Sequence, residues 1–480
     1  MAYVRDRRYG RRRRRQRNQL ILLSVVLVIL LAVIVGIVIG IVKENRPDNT
    51  EDTSVTESTE TGTENDTQDD ERAEINAIIA EADLLAAGYD YDAAIAKIQS
   101  IEGYEQDGEL LGKIVDYEAI KASCKRVKIS EVTHIFYHSL VVDPDRAFDP
   151  NKSNGEGMNQ WMTTVDEFMA ITQEMYDRGY VLVSLHDLYE ITVDENGNKV
   201  IKEGNIYLPE GKKAFVLSLD DLSYYHSYDG YGLATKLLVD EEGNLYNEYI
   251  DAQGNVLYGD YDCVPLLDKF IEEHPDASYR GAKGTVALTG YNGIFGYRTD
   301  YSYSLDTPDL NKDKRDWLVA NPDFDIEAER AAAKEVADAM KAKGWTFASH
   351  TWGHLSVGGK QLSTLQKDNE KWMENVATIV GDTNVIIFAH GTDLGNWGKY
   401  DEANEKYQYY KEQGFDIFCN VDGSQKYLVY MGKDYLRMGR RNLDGIRFHY
   451  NLTGTQNNLS DLFDVQEIVD PKRPSMDAYK

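Results

Sequence analysis

The chain has 480 residues, which is more than one ordinary domain uses and suits two or three. A hydrophobic content of 42% excludes a wholly disordered chain, and three cysteines are too few for a disulfide scaffold. The formal net charge of −29 argues against nucleic acid as a bulk partner, because binding to phosphate requires the opposite sign.

The first 42 residues predict a membrane anchor. Residues 1–19 are rich in arginine, and residues 20–42 form an apolar run without a charge. Such a run is long enough to cross a bilayer as a helix, and charged residues follow it where a cleavage site would need small ones. Because basic flanks stay in the cytoplasm, the sequence predicts a single-pass protein of the cell membrane with its later residues outside. A nucleic-acid or nuclear-targeting patch is the less favoured interpretation of the arginines.

Two further segments separate this anchor from the rest of the chain. Residues 43–72 are acidic and rich in serine and threonine, and they predict a disordered linker, because they cannot bury enough apolar area to offset ordering. Residues 73–127 show helical spacing of apolar residues and are similar to one helical hairpin of tetratricopeptide type. A helical stalk that packs on the next domain is favoured over a peptide-binding module.

From residue 130 to residue 470, short strand-like runs alternate with amphipathic helical stretches. The predicted strands are 133–138, 180–185, 214–219, 284–290, 345–350, 384–390 and 415–421. The predicted helices include 164–178, 264–274, 327–343 and 363–380. This alternation predicts an α/β domain with a largely parallel sheet or barrel. Turn residues predict added hairpins near 192–208 and 238–260, and residues 291–325 have no clear period and are predicted to be a long insertion.

One predicted strand ends in two adjacent carboxylates, Asp220 and Asp221. Successive side chains of a strand point to opposite sides, so the two acids can reach different targets if the chain bends there. One of them can ligate a cation while the other stays free as a base. The ordinary use of such a pair is a helix cap or a solvated turn, so the pair is a weak signal by itself.

Two histidines follow another predicted strand, in the segment SHTWGH at residues 349–354. Histidines four residues apart, here His350 and His354, lie on one face of a helical turn and can share a metal ion. Two imidazoles and one carboxylate leave positions open for water and substrate, as hydrolytic zinc sites require. The alternative is two unrelated polar histidines beside a buried tryptophan.

Together these segments resemble the polysaccharide deacetylases of the NodB-homology type, carbohydrate esterase family 4, over roughly residues 130–450. The family's T-F-D-D-G motif is matched by the run L-S-L-D-D-L, and its H-[ST]-x-x-H motif is met by His350, Thr351 and His354. The resemblance implies a distorted (β/α) barrel with its site at the carboxyl ends of the strands. It implies Asp220 as general base, and Asp221 with both histidines as ligands of a divalent metal ion, preferably zinc.

The chain departs from the family pattern at three places. Leu222 replaces the glycine that follows the two aspartates. The third-motif region, FAHGTDLG, lacks the arginine and prolines of many members, in which the arginine orients the base. The leucine-x-histidine motif that supplies the general acid is not plainly present. His390 is the predicted catalytic acid and His449 is the other candidate, and either could instead be an ordinary surface or core histidine.

These features predict a membrane-anchored, extracellular, metal-dependent N-deacetylase of a cell-wall amino-sugar polymer such as peptidoglycan. One alternative is a catalytically impaired glycan-binding or wall-organising protein on the same fold, and another is an O-acetyl polysaccharide esterase. Its predicted partners are a cell-wall or extracellular polysaccharide and, through residues 20–42, the membrane. The sequence leaves open whether any two of Cys124, Cys263 and Cys419 form a disulfide.

Overall fold

The computed structural model describes residues 63–304, 307 and 309–479, with the backbone alone for 63–71. The chain divides into two units, Met1–Asp70 and Glu71–Lys480, and the barrel and the site described below belong to the second. The predicted basic tail 1–19, the predicted transmembrane segment 20–42 and most of the predicted linker lie outside the described residues.

The structure corrects the predicted membrane architecture. Within residues 63–479, apart from the short gaps, no helix is long and apolar enough to cross a membrane. The longest helix, Thr63–Ala87, begins inside the predicted linker and carries many carboxylates, which are costly in a bilayer. This finding overturns the single-pass localisation and the fold class that began with a transmembrane helix, an acidic linker and one helical pair. The fold that replaces it is a closed parallel barrel preceded by helices.

Seven parallel strands close into this barrel. They are β1 Thr133–Tyr137, β2 Lys213–Asp220, β3 Thr285–Leu288, β4 Thr346–Ser349, β5 Val385–Ile387, β6 Ile417–Val421 and β7 Leu436–Asn442. Each strand pairs with the next along the chain, and β7 pairs with β1 to close the ring. The first six coincide with strands predicted from the sequence, whereas β7 was not predicted. The predicted strand near 180 is Tyr180–Leu182, which pairs with the outer part of β2 and lies outside the ring.

Alternation along the strands separates an inner from an outer layer of side chains. On β2, Val216 shares one hydrophobic cluster with the small residues Ala287 of β3 and Ala348 of β4. The intervening residues of β2, Leu217 and Leu219, belong to a second cluster together with side chains of the surrounding helices. The period of two therefore puts Ser218 and Asp220 on the same side of β2 as Val216.

Helices cover the barrel and follow the amphipathic stretches of the sequence. Those around the barrel are Val165–Asp177, Cys263–Glu273, Ile326–Ala342, Leu362–Trp372, Glu405–Glu412 and Gly445–Leu452. The first begins at a capping box in which Thr164 and Glu167 exchange hydrogen bonds between side chain and backbone, and this arrangement fixes its start.

In the described part of the chain, three helices precede the barrel instead of one pair. They are Thr63–Ala87, Tyr91–Gln99 and Gly108–Ser123, and apolar side chains of all three share a cluster with the barrel's inner layer. Added hairpins occur where turn residues predicted them, as Tyr189–Val193 with Lys199–Glu203 and as the three strands Ala234–Val239, Leu245–Ile250 and Val256–Gly259. A short strand, Val429–Met431, pairs with β7. Cys124, Cys263 and Cys419 are free thiols.

Candidate functional site

The site residues predicted from the sequence meet at one rim of the barrel. Asp220 is the last residue of β2, and His350 directly follows β4. Because all seven strands run in parallel, their carboxyl ends share this rim. A cavity of about 440 Å³ opens there and is lined by Asp220, Asp221, His350, His354 and His390, among others. The volume lies within the range of small-molecule sites.

Asp221, His350 and His354 form a group that could hold a metal ion. Their donor atoms lie within 4.8 Å of one another, and Nε2 of His354 is 3.5 Å from Oδ2 of Asp221. Nδ1 of His350 is 2.6 Å from the carbonyl oxygen of Ile387, so this nitrogen must donate its proton and the lone pair lies on Nε2. Burial lowers the pKa of His350, despite the two aspartates, and this favours the neutral ring that ligation requires. Two imidazole nitrogens and one carboxylate oxygen are a donor set that suits zinc.

A buried tyrosine orients the carboxylate of this group. The hydroxyl of Tyr225 donates to Oδ1 of Asp221 at 2.6 Å and lies 2.6 Å from Oγ1 of Thr289. The ring of Tyr225 stacks on Tyr291, with 5.3 Å between ring centroids. One oxygen of Asp221 is therefore held by Tyr225, while the other oxygen faces His354. Such outer contacts fix the orientation of a metal ligand.

We expect the Tyr225→Phe variant to bind divalent metal about 10–100-fold more weakly, because the hydrogen bond that orients Asp221 is lost. Competition for zinc with a chromogenic chelator measures this affinity. Tyr228→Phe is the matched control, because the Tyr228 ring lies 5.4 Å from that of Tyr225 but its hydroxyl has no hydrogen-bond partner among the described residues. Equal affinities in the two variants would show that Tyr225 does not support the ligand.

Asp220 has a different environment from its neighbour. Arg440 of β7 donates to both of its carboxylate oxygens, at 2.7 and 3.0 Å, and the guanidinium is fully buried. Burial would raise the pKa of Asp220, but the charge of Arg440 and its hydrogen bonds lower it to about 2. Nη1 of Arg440 also donates to Ser218, whose hydroxyl lies 3.0 Å from Nε2 of His134. Asp220 is thus a buried, ionised carboxylate in a fixed orientation.

Arg440 is the main site residue that the sequence analysis missed. The third-motif region lacks an arginine, and the structure supplies one from a strand that was not predicted. A buried carboxylate needs a partner of opposite charge, so a cationic partner for Asp220 could be expected. That partner, Arg440, lies 220 residues further along the chain.

Left-handed backbone conformations cluster at the site. Asp221, Thr351, His354 and His390 have φ of 59°, 62°, 52° and 56°, and they account for half of the eight non-glycine residues with positive φ in the described part of the chain. Such conformations cost energy and concentrate at functional sites. Leu222, which replaces the glycine of the family motif, is not one of the eight. The strained residue in this turn is the candidate ligand Asp221 itself.

The two histidines proposed as the general acid lie in different places. The ring of His390 is 4.2 Å from that of His354, and its Nε2 is 3.2 Å from the carbonyl oxygen of His354. Burial and the neighbouring His354 lower the pKa of His390. His449 lies in the last turn of the helix Gly445–Leu452 and does not line the cavity. The structure therefore brings His390 to the site and leaves His449 outside it.

A further histidine, His138, lines the cavity and was not singled out from the sequence. It follows the end of β1, a neighbour of β2 in the barrel. It lines the cavity together with three carboxylates, those of Asp220, Asp221 and Asp444. The sequence carried a signal for it, because the carboxyl end of a parallel barrel strand is where site residues occur.

No family model matches the chain, and no curated protein matches it. Among solved structures, the chain is similar to the Streptococcus pyogenes deacetylase PplD in complex with acetate, at 13% identity and a TM-score of 0.33. The similarity covers 64% of this chain and 91% of that chain. Membership of the polysaccharide deacetylases therefore remains a resemblance that rests on the motifs of this sequence.

Proposed function

We propose that the chain is a metal-dependent N-deacetylase that removes acetyl groups from the amino sugars of a cell-wall polymer such as peptidoglycan. The observation that carries this proposal is the pairing, in one cavity, of a three-donor group with a separate ionised carboxylate held by Arg440. Hydrolysis of an amide needs both parts, because water must lose a proton while the carbonyl oxygen gains negative charge. The resemblance of both motifs to polysaccharide deacetylases supports the choice of substrate.

The chain's own residues divide the work. Asp221, His350 and His354 would hold the ion, with zinc as the first candidate, and three ligands leave a coordination position open. When bound, a divalent ion supplies a Lewis acid that polarises the acetyl carbonyl and makes water more acidic. Asp220 accepts the proton of the attacking water, and Arg440 keeps it anionic and aimed. A carboxylate with a pKa of about 2 is ionised at neutral pH and can accept a proton, although it is a weak base.

The departing amine needs a proton, and we propose that His138 supplies it. His390 is held by the carbonyl of His354 and has a lowered pKa, which suits a neutral ring that supports the metal-binding turn. Besides the candidate ligands His350 and His354, His138 is the other imidazole that lines the cavity with His390, and three carboxylates line it too. The sequence-based assignment of His390 as the acid stays a prediction, and the next experiment separates the two.

We expect His138→Gln to lower turnover by about 10²–10⁴-fold with metal still bound, because general-acid catalysis is lost. The loss should be much smaller on an activated aryl acetate, whose leaving group departs without protonation. His390→Gln is the matched variant, and its turnover should fall less than that of His138→Gln. A larger and leaving-group-dependent loss in His390→Gln would instead assign the acid to His390.

Acetate release by the purified full chain tests the proposed function. The chain, loaded with zinc, cobalt or nickel, is incubated with peptidoglycan, with oligomers of N-acetylglucosamine and with an O-acetylated xylan. The proposal expects acetate from the N-acetylated glycans. Release from the xylan alone would support the O-acetyl esterase, and glycan binding without any release would support the non-catalytic alternative. The pairing of Arg440 with Asp220 opposes that last alternative, because it supplies the base with the arginine that the third motif lacks.

A further inference from the structure

One large aromatic side chain at the cavity is turned towards solvent. Trp161 ends the short helix Gly155–Trp161, and 48% of its surface is exposed although it lines the same cavity as Asp220 and Asp221. Of the chain's six tryptophans, one other has more than a third of its surface exposed, Trp397 at 39%, and it does not line this cavity. Most large aromatic side chains are largely buried, so an exposed one at the rim of a cavity is a candidate ligand contact.

The backbone on both sides of Trp161 is rigidly supported. Arg473 donates to the carbonyl oxygens of Asn159, at 2.7 Å, and Met162, at 2.9 Å. The same guanidinium pairs with the buried Glu167 at 2.6 Å. Asn159 and Met162 are themselves buried, at 0% and 4% exposure. The indole is therefore exposed on a fixed support, and a fixed aromatic face costs little entropy when it binds a ligand.

The cavity between Trp161 and the metal-binding group has the chemistry of a sugar site. Its walls include the apolar side chains of Phe136 and Met158 and the polar side chains of Asn154 and Asn442. A pyranose ring has apolar C–H faces and a polar edge, which suit an aromatic face and a few polar groups respectively. The acidic side chains that line the cavity repel anions, whereas the neutral hydroxyl groups of a sugar are not repelled.

We propose that Trp161 is a stacking platform for the pyranose ring next to the one that is deacetylated. This inference rests on the proposed function and deepens it. The substrate class is then an oligomer or polymer of N-acetylated amino sugars, and a monosaccharide reaches the metal-binding group without using the platform.

The test compares chain lengths on the zinc-loaded full chain. The ratio of kcat/KM for the tetramer of N-acetylglucosamine to kcat/KM for the monomer is measured in wild type, Trp161→Ala, Trp161→Phe and Trp397→Ala. We expect Trp161→Ala to lower this ratio about tenfold, the effect of losing one modest contact. Trp161→Phe should keep most of the ratio, and Trp397→Ala, which also removes an exposed indole, should keep all of it. An unchanged ratio in Trp161→Ala would overturn the proposal.

A binding measurement separates this proposal from the proposed function. Calorimetric titration of the tetramer into the Asp220→Asn variant, with and without Trp161→Ala, needs no turnover. A tenfold weaker affinity on loss of Trp161 supports the platform even if the wild type releases no acetate. If the wild type releases acetate but the loss of Trp161 does not change the affinity for the tetramer, the proposed function stands and the stacking platform is overturned. Absence of tetramer binding to both proteins overturns the platform.

Discussion

The Asp220→Asn variant is expected to retain divalent metal and to lose turnover by about 10²–10⁴-fold, the usual effect of removing a general base. Asp220 lies outside the three-donor group, and Arg440 holds both of its oxygens. The amide keeps the shape but cannot accept the proton. Zinc competition and acetate release, measured on one preparation, give the two quantities, and a melting temperature checks that Arg440, now without its anion, has not unfolded the barrel.

Asp221→Asn is the paired variant and should fail differently. It replaces an anionic ligand by a neutral one, so metal affinity should fall first, and activity should return in part at high metal concentration. Equal loss of metal in the two variants would mean that both carboxylates ligate. The base would then have to be another group of the cavity.

The second large effect is expected for Arg440→Met. It leaves Asp220 buried without its partner, and removal of one member of a buried ion pair lowers the free energy of unfolding by about 3–5 kcal/mol. The pKa of Asp220 should also rise, because burial raises it and Arg440 is the main cause that lowers it. Urea unfolding at neutral pH measures the first effect, and the pH dependence of acetate release measures the second.

The direction of the pH effect follows from the two pKa values. In the wild type, a pKa of about 2 lies below the ordinary value of 3.8, so ionised Asp220 stabilises the fold above pH 3.8. That contribution is lost as the pH falls towards 2. In Arg440→Met the pKa of Asp220 should be higher, so the acidic limb of the rate profile that reports protonation of Asp220 should move to higher pH. Arg441→Met is the control, because Arg441 is as deeply buried but pairs with Asp461. It should lose stability without shifting that limb, and an equal shift in both variants would contradict the role of Arg440.

Most barrel strands could be predicted, but β7 could not, and the reason is physical. Buried parallel strands are usually continuous runs of apolar residues, and β1 to β6 are rich enough in them to be recognised. β7 has the sequence LRMGRRN, with three arginines and a glycine. These arginines are buried because Asp393, Asp220 and Asp461 pair with them. Such pairing depends on partners distant in the chain, so local composition describes this strand as a polar loop.

The candidate site divides in the same way. Asp220, Asp221, His350 and His354 were found because they lie at the ends of predicted strands or within a few residues after them, and parallel strands bring their carboxyl ends together. Residues whose roles depend on tertiary neighbours were missed. Tyr225 is identified by its hydrogen bond to Asp221, and Trp161 by the support that Arg473 gives to its flanking backbone. Arg473 lies more than three hundred residues after the helix that it supports, so no local pattern could indicate this contact.

We propose that a metal ion bound by Asp221, His350 and His354 makes the chain a deacetylase of N-acetylated glycans. The most direct measurement is acetate release from N-acetylglucosamine oligomers by metal-free full chain as zinc is added in fractions of an equivalent. We expect the rate to rise in proportion to bound zinc, to reach a plateau at about one equivalent, and to stay near zero in the Asp221→Ala, His350→Ala double variant. Acetate release that is the same without metal, or that persists in the double variant, would contradict it.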